Sequence, residues 1–308
     1  MKGVKLFALL AAVASLVFAR PAGAYWAPDG VALCAAPDIQ SAPHATTDGA
    51  GGAIVVWTDY RGAGTDIYAR RVNASGTAQW TVNGISVCAA TGDQSYPAIV
   101  SDGAGGAVMA WQDMRAGNYD IYAQRVDASG NVLWATDGVA LCAATGNQQS
   151  LKMISDGFGG AIVAWMDYRD GNWDIYAQRV NAAGTAVWGG DGIAVCTASN
   201  IQSYPDLAAD GASGAIIAWK DLRNGSNYDI YARRVDYGGS PLWTADGVAV
   251  CNAAGNQSAV SIVQDGLGGA IVAWDDQRSA GTSYLYAQRL SGSGSTSWTA
   301  NGVFLCSM

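Results

Sequence analysis

Six cysteines stand at positions 34, 88, 142, 196, 251 and 306, and each closes the same phrase: Trp, two residues, Asp or Asn, Gly, then a short apolar run. The steps between them are 54, 54, 54, 55 and 55 residues. A period this strict dictates a row of near-identical structural units, none of which can bury its apolar face alone. Two further phrases recur in fixed order between the cysteines. "GGAIVAW" and its variants begin at Gly51, Gly105, Gly159, Ser213 and Gly268, and "DIYAQRV" also occurs five times, the last as "YLYAQRL" at 284–290. The cysteine phrase therefore has six copies where the others have five.

Each phrase has strand length and is bounded by turn residues. "AIVAW" is apolar on both faces, as in a strand covered by sheets on either side. "DGAGG" supplies the reversal before it, and "DASG" joins "AQRV" to "NVLW" as a hairpin turn. Four strands in 54 residues, five times over, predict an all-β fold: a five-bladed β-propeller. A β-solenoid is the structural alternative, disfavoured because its coils are usually shorter. The first and last cysteine phrases lie five repeats apart, one full turn of such a ring. The expectation is a ring closed by overlapping terminal segments, with Cys34 and Cys306 near enough to pair in an exported protein.

Composition agrees. All 25 acidic residues are Asp, and the chain has no Glu and only four lysines, so surface helices are not expected. Lys2 and Lys5 precede an apolar run to Ala19, with Ala22-Gly23-Ala24 as small residues for cleavage. Residues 1–24 thus read as a signal peptide and 25–308 as one propeller domain, with an uncleaved anchor as the alternative. Without the leader, 14 basic residues face 25 acidic ones. Such a surface argues against nucleic acid and anionic membranes, and no membrane insertion is expected after signal cleavage because no other stretch approaches membrane length. The expected location is secreted, periplasmic or extracellular.

Nearly all of residues 26–308 resembles the secreted bacterial β-propeller repeat proteins built from "DGxGGAIVAWxDxR…DIYAQRV" units, most of which have no assigned activity. The segment "VDASGNVLW" (126–134) is also similar to the repeat of quinoprotein dehydrogenases, which are larger propellers.

Three sets of side chains are candidates for chemistry. The first is Trp-x-Asp-x-Arg, as in Trp165, Asp167 and Arg169, which a period of two puts on one face of a strand. Its five copies favour a staple between blades over a ligand site. The second is the following loop, with Tyr119 and Asp120, then Asn172, Trp173 and Asp174, then Tyr228 and Asp229. It reads either as a hairpin turn capped by its Asp or as an aromatic platform for a sugar. Asp167, Asp170, Asn172 and Asp174 also offer oxygen donors for calcium, but not at the spacing of a known calcium loop. The third is one variable position in the "SYPAI" strand, which holds His44, Ala98, Lys152, Asp206 and Ser261 in turn. If that strand is innermost, these side chains line the central channel as a binding pocket or as a solvated, unconstrained surface.

No nucleophile elbow or phosphate loop is present, and His44 is the only histidine. Sialidases share the architecture, but their Tyr nucleophile is normally paired with a Glu that this chain lacks. The sequence therefore reads as a non-enzymatic binding or scaffold propeller without catalytic residues, cofactor or metal, recognising glycans or another extracellular partner through its blade loops. Propeller lectins of the five-bladed tachylectin type are the comparison. A propeller glycoside hydrolase using Asp carboxylates is the alternative.

Overall fold

A computed structural model describes residues 26–27, 29–279 and 282–307. The leader lies outside them. Five antiparallel sheets of four strands each follow one another along the chain. Blade one comprises β1 (Gln40–Thr47), β2 (Ala53–Asp59), β3 (Asp66–Val72) and β4 (Ile85–Cys88). Blade two has β5 (Gln94–Ser101), β6 (Ala107–Asp113), β7 (Asp120–Val126) and β8 (Val139–Cys142). Blade three has β9 (Gln148–Ser155), β10 (Ala161–Asp167), β11 (Asp174–Val180) and β12 (Ile193–Cys196). Blade four has β13 (Gln202–Ala209), β14 (Ala215–Asp221), β15 (Asp229–Val235) and β16 (Val248–Cys251). Blade five has β17 (Gln257–Gln264), β18 (Ala270–Asp276), β19 (Tyr284–Leu290) and β20 (Val303–Ser307). The all-β class and the five blades match the expectation. No helix among the described residues is long and apolar enough to cross a membrane.

The core lies between blades. The "AIVAW" strands are buried on both faces, and Trp111, Trp165 and Trp219 are fully enclosed. Four apolar clusters join blades one to two, two to three, three to four and four to five. First strands of neighbouring blades pack on one another around the axis.

Two Asp–Arg pairs per blade fasten these joints. In blade three the Asp167 carboxylate accepts from the Trp165 indole at 2.8 Å and from Arg169 Nε at 2.9 Å. The same guanidinium lies 3.8 Å above the Tyr176 ring and donates to Cys142 Sγ of blade two at 3.3 Å. Burial pushes the Cys142 thiol up to about 12, so it packs as a neutral apolar group. The second pair was not foreseen. Asp102, in the turn after β5, binds Arg125 of β7, whose other nitrogen reaches Ala182 O in blade three at 3.2 Å.

The seam differs from the expectation of terminal overlap. The first cysteine phrase lies on blade one as though it were the outer strand of a preceding blade. Trp26 donates to Ala74 O at 3.4 Å, Ala35 N to Asn83 Oδ1 at 2.9 Å, and Arg61 to Cys34 Sγ at 3.2 Å. The last phrase forms β20, the outer strand of blade five. Leu305 is 54 % exposed where its counterpart Leu141 is 0 %. No apolar cluster joins blade five to blade one among the described residues, and β17 and β1 are not among the strand pairs that pack closely. Cys34 and Cys306 are both free thiols, so the anticipated pairing is absent. The reason is geometric: Cys34 already fills the slot beside Asp59 and Arg61 that Cys306 would need.

Candidate functional site

Every innermost strand carries a bulge near its start, and each bulge holds one residue in the left-handed region. These residues are Ala42 (φ 48°), Tyr96 (52°), Ser150 (56°), Tyr204 (52°) and Ala259 (50°). Pairing with the second strand shifts register there, for example between Ser95 and Ala98 and between Ser203 and Asp206. A bulge re-aims a side chain, and a bulky residue at positive φ costs about 1–3 kcal/mol. The backbone device is common to all blades, while its content varies. Blades two and four use it to hold Tyr96 and Tyr204 at 64 % and 59 % exposure.

The two rings border a depression of about 880 Å³ at the axis. Gln112, Gln149, Lys152, Asp206 and Lys220 also line it. Asp206 Oδ2 accepts from Ile262 N of blade five at 3.2 Å, which ties the carboxylate across the joint. Lys220 Nζ stands 4.1 Å from the Tyr228 ring centre and 5.2 Å from that of Tyr204. Burial holds the Lys220 ammonium below its ordinary pKa. His44 of blade one is held below the usual imidazole range, first by burial and then by the charge of Lys152.

Of the ten residues singled out from the sequence, Lys152 and Asp206 line this depression and Tyr228 touches it through Lys220. Tyr119 borders a smaller neighbouring cleft that shares Tyr96. The remaining loop residues face inward. Asp120, Asp174 and Asp229 are buried, so the sugar-platform reading of these carboxylates is corrected. Asn172 donates to Asp174 Oδ1 at 3.1 Å and to Asn200 O at 2.6 Å, tying its hairpin to the connection between blades. Trp173 leans on Tyr168 with ring centres 5.0 Å apart and packs on the joint between blades three and four. The calcium set fails in the same way, because Asp167 is held by Trp165 and Arg169. No group of three or more potential metal ligands is gathered among the described residues. Sequence reasoning missed Tyr96, Tyr204, Gln112, Gln149 and Lys220.

Burial pushes Asp120 and Asp174 up to about 6. In the unfolded chain these groups ionise near pH 4, so between about pH 4 and 6 the unfolded state sheds its protons first. Their contribution to stability is present below pH 4 and falls as pH rises through 6. Thermal melts at pH 4.5 and 7 are expected to show a decline that is shallower in the Asp120→Asn/Asp174→Asn double variant. An equal decline in both proteins refutes the assignment.

No protein-family model and no curated protein matches the chain. Among solved structures it is similar to a protein of unknown function from Dyadobacter fermentans DSM 18053, at 9% identity and a TM-score of 0.50, covering 86% of this chain and 82% of that one. It is also similar to an endo-arabinase from Bacteroides thetaiotaomicron VPI-5482, at 13% identity and a TM-score of 0.44, covering 89% of this chain and 99% of that one. A thermostable family-43 glycoside hydrolase matches at 9% identity and a TM-score of 0.44, covering 87% of this chain and 95% of that one. These likenesses are of fold. They correct the expectation of a non-enzymatic binding or scaffold propeller, because structures of this build include glycoside hydrolases and the fold gives no ground for setting an enzyme aside.

Proposed function

We propose that this protein is an exported glycoside hydrolase acting on a saccharide laid across the axial depression. The ring of left-handed residues carries the reading, since it turns two tyrosine faces into a mouth already lined by amides and a carboxylate. Aromatic faces stack on the apolar side of a sugar ring while amide and carboxylate groups take its hydroxyls. The Lys2/Lys5 leader pattern supports export.

Glycosidic hydrolysis needs two carboxyl groups, one to protonate the leaving oxygen and one to activate water or attack the anomeric carbon. Asp206 is the first. Asp275 of β18 is the second: it pairs with Ser258, a lining residue, and stands at the register position that Gln112 and Lys220 occupy in their own blades. Reducing-end release from a panel of neutral and acidic polysaccharides tests the proposal. Release from at least one polymer is expected, with Asp206→Asn and Asp275→Asn each slower by about 100-fold or more at unchanged melting temperature. No release from any polymer, or wild-type rates in both variants, overturns it.

A further inference from the structure

The positive charges of this chain are distributed unevenly by role. Beyond residue 20 the sequence holds twelve arginines and two lysines. Ten of the arginines are paired with aspartates that are almost fully buried. The other two, Arg70 and Arg233, donate to the backbone carbonyls of Leu33 and Val195 at 2.7 and 2.8 Å. Eleven of the twelve reach a neighbouring blade or the segment before blade one, and Arg289 binds Asp265 within blade five. The two lysines form no ion pair among the described residues, and both line the axial depression.

That placement runs against the chain as a whole, whose formal net charge is −8. A solvated surface that only needed solubility would have no reason to gather its two unpaired described lysines at one point. Lys220 is braced between Tyr228 and Tyr204, a site that desolvates its ammonium and fixes its direction. Lys152 projects from the neighbouring blade, exposed and in the same cavity. In the lining itself two ammonium groups face the one carboxylate of Asp206, with Asp275 behind Ser258 at the edge of the site. An ammonium acts as a point charge that tolerates several orientations of an anion, which suits a flexible acidic sugar better than a planar fork would.

We propose that the saccharide taken by the depression is anionic, carrying a carboxylate or a sulfate ester that Lys152 and Lys220 hold while Tyr96 and Tyr204 support the ring. This rests on the reading of the depression as a saccharide site and adds the substrate class. The charge contact is partly solvated, so it weakens with added salt.

Affinity electrophoresis through gels containing polygalacturonate, carboxyl-reduced polygalacturonate or dextran sulfate tests it. The acidic polymers are expected to retard the protein, and the carboxyl-reduced polymer to bind about tenfold more weakly, a difference of about 1.4 kcal/mol. Lys152→Gln and Lys220→Gln should each lose about tenfold on the acidic polymers with an unchanged melting temperature, and Lys220→Arg should regain part of the loss. Preference between polygalacturonate and dextran sulfate identifies the anion as carboxylate or sulfate ester. If the carboxyl-reduced polymer binds as well as its parent, or the lysine variants bind as wild type, the anionic class is overturned while the saccharide site stands. Absence of retardation by all three polymers overturns both.

Discussion

Asp167→Ala is expected to destabilise the protein by about 3–5 kcal/mol, the loss seen when one partner of a buried ion pair is removed. Asp167 is fully buried and accepts from Trp165 Nε1, Arg169 Nε, Arg169 N and a second guanidinium nitrogen at 2.6 Å. Alanine leaves Trp165 Nε1, Arg169 N and Arg169 Nε without that acceptor and the guanidinium without its counter-charge, while its Nη2 keeps Asp191 O at 2.9 Å. Asp167→Asn keeps the volume but turns an NH2 toward donors, so most of the loss should persist. Urea unfolding of the three proteins, followed by tryptophan fluorescence, measures it. A loss below about 1 kcal/mol would show that the pair is solvated and contributes as a surface bridge does.

Gly160→Ala is the second large effect, expected at about 3 kcal/mol or more because backbone must move. A Cβ on Gly160 would sit 2.1 Å from Val180 O and 2.8 Å from Asp156 Oδ2, between the first hairpin turn of the blade and the end of its third strand. Asp156 is the partner of Arg179, so the displaced turn also disturbs an ion pair. Gly157→Ala is the control. Gly157 has a φ of +81° and open space around its Cβ position, so only the left-handed backbone term of about 1–2 kcal/mol applies. Equal melting temperatures for the two variants would refute the steric argument.

Much of the fold was legible because a repeat is an amplified signal. One "AIVAW" is ambiguous between strand and buried helix, whereas five at a fixed interval with the same turns are not. The candidate for the innermost strand stood out in the opposite way, since one of its positions holds a different residue in each of the five blades. The tyrosines of the mouth were harder to see. Tyr96 and Tyr204 precede Pro97 and Pro205, and a residue before proline is expected to be extended. The bulge overrides that preference, and nothing in local propensity announces a left-handed tyrosine. The loop carboxylates misled in the opposite direction. "GNYD" and "GNWD" look like exposed polar turns, but each Asn folds its Asp back onto the connection to the next blade. Nor does a period in sequence state the angle between units, so the match of first and last phrases suggested a closure that the joints do not make.

The open seam has a consequence for how the molecule comes apart. Stability in a row of units is shared between neighbours, and a unit at the end has one neighbour where the others have two. Among the described residues blade five has an apolar joint to blade four alone, whereas blade one has both its joint to blade two and the strap running from Trp26 to Ala36 across its outer side. Among these five blades, opening is expected to begin at blade five, so that the depression parts with Ser258 and the register partner Asp275 before Lys152 or Tyr96. The array behaves as a zipper with one guarded end.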